Sequence, residues 1–354
     1  MKLGFGLYKH MLNETHYKFA RQCGATHIVV HMVDYFGHEK NSKENTNQPV
    51  GEKEGWGKAG NASQIWSVEE LSKIKQEINK HGMELEAIEN FDPAHWYDVL
   101  LDGPKKQEQI EGLKQLIRNV GAAGIPVFGY NFSLAGVSSR VMGEFARGGA
   151  VSVAMEKEDD TPIPNGMVWN MVYDQDAPPG VMPPATPEQL WSRVQFFLDE
   201  LLPVAEEAGV RLAAHPDDPP LPFLRKTPRL VHQPELYQKL IDLNPSPANT
   251  LEFCLGSVAE MTGGDVYEAT DKYSKQGRIS YIHFRNVVGK VPNYKEVFID
   301  EGDIDMLMIL RILKANNFDG VLIPDHTPQM SCDAPWHSGM AYAMGYMKAA
   351  IAFV

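Results

Sequence analysis

Four segments in the second half of the chain end in residue types that bind metal ions. Each segment is a short apolar run, and the runs finish at or near His215, Cys254, His283 and Asp325. Two imidazoles, a thiolate and a carboxylate form a donor set that suits a divalent metal ion. If the four side chains meet, the sequence predicts a metal site with room for substrate oxygens.

Each of these residues also has an ordinary structural explanation when it is taken alone. A histidine at the end of a strand is often a hydrogen-bonded structural residue, and Cys254 could be a small buried apolar side chain. Asp325 could cap a helix that follows it. The metal hypothesis therefore depends on the joint occurrence of the four residues at the ends of four consecutive apolar runs.

Polar residues next to the candidate ligands could contact a substrate. Side chains two positions apart in a strand share a face, so Arg285 should point the same way as His283. Asp217 should likewise follow His215 if that strand continues far enough. A guanidinium beside a metal can hold a carboxylate through paired hydrogen bonds, which indicates a sugar acid as the substrate.

Residues at the ends of earlier runs are less decisive. Tyr130 and Asn131 could bind hydroxyl groups, or they could be a core tyrosine and a turn asparagine. Glu89 and Asn90 could line the same pocket. The tryptophans could stack on a sugar ring, but packing between loops is the favoured interpretation.

The elements that must position these residues are eight apolar runs separated by helical patterns. The runs lie near residues 3, 27, 84, 126, 211, 250, 279 and 320. Ser67 with Glu70, and Thr186 followed by Pro187, are typical helix starts. This alternation over 354 residues predicts an α/β fold, a single-domain (β/α)8 barrel spanning 1–354, in which the strand ends meet on the catalytic face. No glycine-rich dinucleotide loop follows the first run.

Two connections are too long to be simple turns. They cover about residues 34–65 and 133–185, after the second and fourth predicted strands, so each should lie on the catalytic face. Loops of this length are typical of lids and subunit contacts. They favour a homo-oligomer, which we expect to be a dimer.

Composition limits the partners. The net charge of −13 argues against a nucleic-acid partner, because a protein that binds nucleic acid needs clustered Lys and Arg.

Three separated cysteines argue for a reducing compartment. We expect no signal peptide, because the N-terminal segment lacks the pattern of one. No run approaches the length of a membrane span. The expected location is the cytoplasm, and the expected partner is a small-molecule substrate.

The segments around the candidate ligands resemble the mannonate dehydratases, metal-dependent barrels of the xylose-isomerase-like group. The resemblance extends over nearly the whole chain. It is carried by residues 202–220 around His215, by Cys254-Leu-Gly-Ser, by His283-Phe-Arg285, by residues 302–306 and by Pro324-Asp325-His326. It implies that His215, Cys254, His283 and Asp325 hold Mn²⁺ or Fe²⁺. It also implies loss of water from an aldonic acid, D-mannonate in the family, to give 2-dehydro-3-deoxy-D-gluconate.

The implied reaction removes a weakly acidic proton next to a carboxylate, so the dianion that forms needs a metal and a cation nearby. Arg285 could supply the cation. The candidates for the two proton transfers are His326 and Asp217. The candidates for substrate contacts are Tyr130, Asn131, Arg285 and His337.

Three positions depart from the family pattern, which leaves the substrate open. Ile323 stands where the family has arginine, Thr327 where it has glycine, and His337 near the place of a tyrosine. The remaining alternatives are a sugar isomerase or epimerase, a lyase acting on another oxidised sugar, and a sugar-binding protein without catalysis. Cys254 argues against an isomerase, because such enzymes usually use carboxylate-rich ligand sets.

Overall fold

Eight parallel strands close into a barrel in the computed structural model, which describes residues 1–36 and 55–354. In chain order the strands are Lys2–Leu7, His27–His31, Glu84–Glu89, Val127–Tyr130, Arg211–Ala214, Asn249–Cys254, Ile279–His283 and Val321–Ile323. Each strand pairs with the next, and the eighth pairs with the first. The predicted barrel is confirmed, with each strand at the place where its apolar run predicts it.

Helices cover the outside of the barrel and occupy the connections. In chain order they are α1 (Glu14–Gln22), α2 (Val68–Lys80), α3 (Tyr97–Leu101), α4 (Lys106–Ala122), α5 (Pro187–Ala208), α6 (Leu236–Leu243), α7 (Leu255–Glu260), α8 (Val266–Lys275), α9 (Met306–Ala315) and α10 (Pro335–Phe353). The helix starts follow the predicted caps. The Ser67 side chain accepts a hydrogen bond from the Glu70 amide, and Thr186 forms a reciprocal capping box with Gln189.

The alternation of side chains along the strands separates two layers of core. The inward-facing layer fills the barrel with Val29, Ala87, Val127, Ala213, Tyr281, Val321 and Ile323. The outward-facing residues pack against the helices in a second, larger cluster. Because successive side chains point to opposite faces, this register fixes which residues at the strand ends point into the mouth of the barrel.

The two long connections lie after the second and fourth strands, as the sequence predicts. Residues 37–54 of the first lie outside the described residues. The part that follows contacts the second connection, since the Trp56 amide donates to the Asn170 carbonyl (2.8 Å) and the Ala59 amide to the Val172 carbonyl (2.9 Å). The two insertions are therefore joined along one side of the barrel mouth.

A four-stranded antiparallel sheet stands over another part of the mouth. Its order is Val287–Lys290, Asn293–Glu296, Ala150–Met155 and Val141–Ala146. The first two strands follow the seventh barrel strand, and the other two belong to the connection after the fourth. Two-stranded hairpins complete the loops, formed by Met167–Val168 with Met171–Val172 and by Phe223–Leu224 with Thr227–Pro228. Within the described part of the chain, no helix has the length and apolar character needed to cross a bilayer.

Candidate metal centre and active site

The four predicted ligands meet at the mouth of the barrel. His215 directly follows the fifth strand, while Cys254 and His283 are the last residues of the sixth and seventh. One potential ligand atom from each of these three lies within 4.8 Å of the others. Asp325, two residues beyond the eighth strand, places its Oδ2 3.5 Å from His283 Nδ1.

The backbone of Asp325 has an unusual conformation. Its φ of 61° lies in the left-handed region, which non-glycine residues seldom adopt. Such conformations persist where the surrounding structure enforces them, and they occur often at functional sites. Asp325 therefore does not cap a helix, and its carboxylate is turned toward the imidazoles.

Hydrogen bonds fix the orientation of both ligand imidazoles. His215 Nδ1 lies 2.7 Å from the Pro216 carbonyl, to which it donates, and this leaves Nε2 for a ligand. His283 Nε2 lies 3.2 Å from Glu89 Oε2 and 3.2 Å from Glu252 Oε1. Its other nitrogen, Nδ1, is buried and makes no hydrogen bond to any described residue. Histidine ligands in metal sites are typically held by such a contact through the opposite nitrogen.

The charges of the site keep the anionic donors ionised. Burial alone would raise the pKa of Cys254, but the Arg285 charge and contacts with His215 and His283 hold that pKa well below its ordinary value. Burial would also raise the pKa of Asp325, which His326 and His283 hold well below its usual range. A thiolate and a carboxylate are thus available together.

This donor set fits a divalent transition-metal ion. Ligand atoms that each lie about 2.0–2.3 Å from one ion cannot be more than about 4.6 Å apart, and the three grouped atoms lie within 4.8 Å of one another. The hydrogen-bond-free Nδ1 of His283 faces the same place. The described residues therefore form a potential site for a divalent metal, in agreement with the sequence prediction.

Two buried carboxylates lie beneath the candidate metal site. Burial and the Glu89 charge raise the pKa of Glu252 well above its ordinary value. Burial opposes ionisation of Glu89 as well, but His31 and His283 lower its pKa. The pair therefore carries about one negative charge, as expected for two carboxyl groups that share a site. Glu252 lies two residues before Cys254 on the same strand face, so the sequence offered a signal for it.

His326 lies between two carboxylates at the cavity. Its Nδ1 is 2.8 Å from Glu296 Oε2, and its Nε2 is 3.0 Å from Asp325 Oδ2. Burial lowers the pKa of His326, but Asp325 and Glu296 outweigh this effect and raise it to about 9. Glu296 comes from the sheet strand Asn293–Glu296, a loop position that carries no recognisable signal in the sequence.

Arg285 lies beside the ligands, as the sequence predicts, and its guanidinium donates to protein acceptors. Its Nη2 is 2.8 Å from Asp218 Oδ2, 3.0 Å from Ser257 Oγ and 3.3 Å from Cys254 Sγ. Its Nη1 donates to Glu296. The position of Arg285 explains why the thiol of Cys254 ionises readily.

A cavity that is open to solvent lies above the candidate ligands. Five predicted site residues line it, namely Asn131, His215, His283, Asp325 and His326, while Cys254 lies outside the lining. The remaining lining residues are Tyr8, His31, Tyr35, Trp56, Glu89, Asn90, Val137, Arg140, Trp169 and Asp218. The sequence did not single out Arg140 or Asp218, because both lie in loops beyond the strand ends.

Asp217 is not brought to this cavity, which corrects the sequence expectation. The fifth strand ends at Ala214, so the alternation that would align Asp217 with His215 does not continue. Asp217 instead lies 2.7 Å from the Arg229 Nε atom and accepts hydrogen bonds from the Leu230 and Val231 amides. The neighbouring carboxylate, Asp218, lines the cavity in its place.

Tyr130 and His337 also lie away from the cavity. Tyr130 points outward from the fourth strand into the helix-facing core, with its ring 5.0 Å from that of Phe197 in α5. The core-tyrosine alternative is the one that the structure supports. His337 lies in the first turn of α10 and packs against Phe19 and His16 at the start of the chain. Ile323, one of the three positions that depart from the family pattern, faces inward and is part of the apolar core that fills the barrel.

The closed eight-stranded barrel gives the chain a xylose-isomerase-like (β/α)8 fold. A solved structure of this architecture, D-psicose 3-epimerase from Clostridium cellulolyticum H10, has a TM-score of 0.56 and 11% identity, with 100% of this chain and 98% of that chain covered. At that identity the likeness shows the fold alone. The fold is thus shared with enzymes of several activities.

Closer similarities define the family. The sequence profile of the D-mannonate dehydratases matches residues 21–159 and 185–352. A mannonate dehydratase of Streptococcus pneumoniae (strain 70585) is 33% identical over 279 residues, which cover 74% of this chain and 75% of that protein. The crystal structure of mannonate dehydratase from Streptococcus suis serotype 2 has a TM-score of 0.76 and 27% identity, covering 99% and 92% of the two chains.

The chain belongs to the D-mannonate dehydratase family, and it is a hydro-lyase. The family resemblance and the enzyme class predicted from the sequence are both confirmed.

Proposed function

We propose that this chain removes water from D-mannonate or a closely related aldonic acid, which gives 2-dehydro-3-deoxy-D-gluconate in the case of D-mannonate. The observation that carries the proposal is that His215, His283, Asp325 and His326 line one cavity, with the Cys254 thiol grouped within 4.8 Å of the two ligand imidazoles. Together with family membership, this geometry supports a carbon–oxygen lyase that acts on a small sugar acid.

Mn²⁺ or Fe²⁺ would be held by His215, Cys254, His283 and Asp325. Such an ion supplies Lewis acidity, which makes the carbon next to a carboxylate more acidic. Arg285 supports this ligand set, because its charge stabilises the Cys254 thiolate and its Nη2 binds the Asp218 carboxylate. The mixture of one soft and three harder donors suits either ion.

We assign the proton transfer at C2 to His326. Glu296 holds Nδ1 of this imidazole, so Nε2 faces the ligand Asp325 and the cavity. A base must be neutral before it accepts a proton. Asp325 is one of the two carboxylates that raise the pKa of His326. If a bound metal ion offset the Asp325 charge, the pKa of His326 would fall toward the working range of a base.

Polar groups on the cavity wall would orient the substrate hydroxyls. Asn131 is held by donating from its side-chain nitrogen to the Pro216 carbonyl (3.1 Å), while the Trp169 indole donates to Asn131 oxygens. Asn90 lines the same wall and donates to the Tyr35 hydroxyl (3.2 Å). Since the side chains are fixed before a ligand arrives, little ordering is required of the protein on binding.

The decisive experiment is a substrate panel on protein of known metal content. The chain is purified, its Mn and Fe content is measured, and several aldonic acids are then incubated with it while 2-keto-3-deoxy acid is assayed. We expect turnover of D-mannonate or of a close epimer. A fully metal-loaded protein that converts no aldonate would refute the proposal, and ketose formation from a neutral sugar would favour the isomerase alternative.

Two histidine variants make the panel specific for the proposed site. His326→Gln should lose at least about 10²-fold in kcat, the lower end of what a general base contributes. His27→Gln is the matched control, because His27 begins the second strand at the opposite end of the barrel. Equal activity in both variants would contradict the role of His326.

We also infer that the active form is a cytoplasmic homodimer in which each chain works as a single domain. Val141, Met142 and Val181 are exposed apolar side chains of the connection after the fourth strand, with 40%, 38% and 56% of their surfaces accessible. Exposed apolar groups in this position favour a subunit contact. Light scattering tests the dimer, and Val181→Glu should shift it toward monomer.

A further inference from the structure

Several carboxylates face the cavity or stand close behind its lining. Glu89, Asp218 and Asp325 line it directly, and Glu296 stands behind His326. A sugar acid is itself an anion, so these groups would repel its carboxylate unless a cation faces it at short range. The location of positive charge in the cavity therefore decides which substrates it accepts.

Arg285, the cation that the sequence suggested for this purpose, is engaged elsewhere. Its two terminal nitrogens donate to Glu296, Asp218, Ser257 and Cys254. It is 3% exposed and lies behind the candidate ligands, outside the lining of the cavity. A substrate could reach this guanidinium only by displacing ionic contacts that are already formed.

Arg140 occupies the position that Arg285 does not. Of the described residues that line the cavity, Arg140 alone carries a permanent positive charge. It is 9% exposed and lies just before the sheet strand Val141–Ala146, in the connection after the fourth barrel strand. Its Nη1 is 3.7 Å from Glu296 Oε1 and 4.0 Å from Asp218 Oδ2.

These two distances hold Arg140 in place but are longer than hydrogen bonds. A guanidinium has five N–H donors in a planar fork, so it can keep several protein contacts and still bind a carboxylate in a bidentate manner. Arg140 and His326 both line the cavity and contact the two oxygens of the same Glu296 carboxylate, so an anion on Arg140 would lie near the proposed chemistry.

We propose that Arg140 binds the carboxylate of the substrate and makes the site selective for sugar acids over neutral sugars. This inference rests on the proposed function and adds the residue that determines substrate class. Arg285, in contrast, acts as a positioning residue for Cys254 and Asp218. The charge that selects the substrate is then supplied by a loop, while the metal ligands belong to the strand ends.

The test compares two ligands that differ only in the charged group. D-mannonate and D-mannitol share their hydroxyl configuration, but the second carries CH₂OH in place of the carboxylate. Their dissociation constants are measured by ligand-observed NMR titration on four metal-loaded proteins that also carry His326→Gln, so that D-mannonate is not consumed during the titration: wild type at both arginines, Arg140→Gln, Arg140→Lys and Arg147→Gln. Arg147 is the matched control, because it belongs to the same insertion but pairs with Asp300 at the surface.

Arg140→Gln should weaken binding of D-mannonate by about tenfold or more, the loss expected for a hydrogen bond to a charged group, while D-mannitol binding changes less than about twofold. Arg140→Lys keeps the charge without the fork and should retain part of the preference. Arg147→Gln should match wild type, and all four proteins should hold equal amounts of metal. If Arg140→Gln misfolds, the Arg140→Lys variant tests the same ratio.

Three results would overturn the inference. Equal weakening of both ligands in Arg140→Gln would show that Arg140 only maintains the shape of the loop. If Arg140→Gln binds both ligands as tightly as the protein with Arg140 does, and wild type turns over aldonates, the Arg140 role is refuted and the proposed function stays intact. Absence of any aldonate binding by metal-loaded wild type would refute the proposed function itself, and the role of Arg140 with it.

Discussion

The Asp217→Asn variant should lose stability while its remaining folded molecules keep an active catalytic site. Asp217 is 2% exposed, and its carboxylate lies 2.7 Å from the Arg229 Nε atom. It also accepts hydrogen bonds of 2.7 and 2.8 Å from the Leu230 and Val231 amides. These contacts hold the loop after the fifth strand against the segment that precedes α6, and none of them reaches the cavity.

The magnitude follows from the burial of the pair. Replacing the carboxylate by an amide leaves the Arg229 guanidinium, itself 2% exposed, without a counter-charge. Breaking a buried ion pair from one side costs about 3–5 kcal/mol. A chain of 354 residues has an unfolding entropy of about 0.74 kcal/mol/K near 60 °C, so Tm should fall by about 4–7 °C.

The assay pairs thermal melting with steady-state kinetics measured well below both melting temperatures. Asp218→Asn is the matched variant, because this neighbouring carboxylate contacts Arg285 and lines the cavity. We expect Asp217→Asn to lower Tm with a kcat within about threefold of wild type, and Asp218→Asn to lower kcat more strongly. An Asp217→Asn variant with unchanged Tm and a large loss of kcat would refute the structural role and restore Asp217 as a proton-transfer candidate.

Three further outcomes test other parts of the site and the surface. Cys254→Ser should bind Mn²⁺ or Fe²⁺ roughly tenfold or more weakly, since even partners of metal ligands have effects of that size; equal metal content after dialysis would count against Cys254 as a ligand. Glu296→Gln should lower kcat about tenfold, part of the roughly 10²- to 10⁴-fold that a base supplies. It should also move the acidic limb of the pH profile to lower pH, because the Glu296 charge raises the pKa of His326 and its removal lowers that pKa. Burial and the His337 charge lower the pKa of His16 in the folded protein to about 4. Between pH 6.5 and 4 the unfolded chain therefore binds a proton at His16 that the folded protein does not, and the wild type loses stability as pH falls. His16→Asn should lose less stability over this range, measured as urea midpoints. An unchanged slope in His16→Asn would contradict that origin.

Much of the barrel could be predicted because its signals are local. Apolar runs of four to six residues bounded by turn residues mark strands whatever their partners are, and caps such as Thr186 with Gln189 act within one helical turn. The four candidate ligands were found for the same reason. His215, Cys254, His283 and Asp325 lie at or just beyond strand ends, and the topology of a parallel barrel brings all such ends to one face.

The sequence by itself determined the barrel, the face on which chemistry would occur and the set of donors that meet there. Only the tertiary structure decided how the loops complete the site. Asp218 replaces Asp217 because the fifth strand ends at Ala214, and Arg140 replaces Arg285 as the cation that lines the cavity.

Glu296 illustrates the physical reason. It reaches His326 because a loop after the seventh strand pairs with the insertion after the fourth, where the Ser152 hydroxyl donates to the Glu296 carbonyl across 144 residues of sequence. Strand and helix patterns depend on neighbours a few residues apart, whereas such pairings depend on segments that meet only when the barrel has closed. The strand ends that carry the candidate ligands could therefore be predicted from the sequence, whereas the groups proposed to select the substrate and orient the base could not.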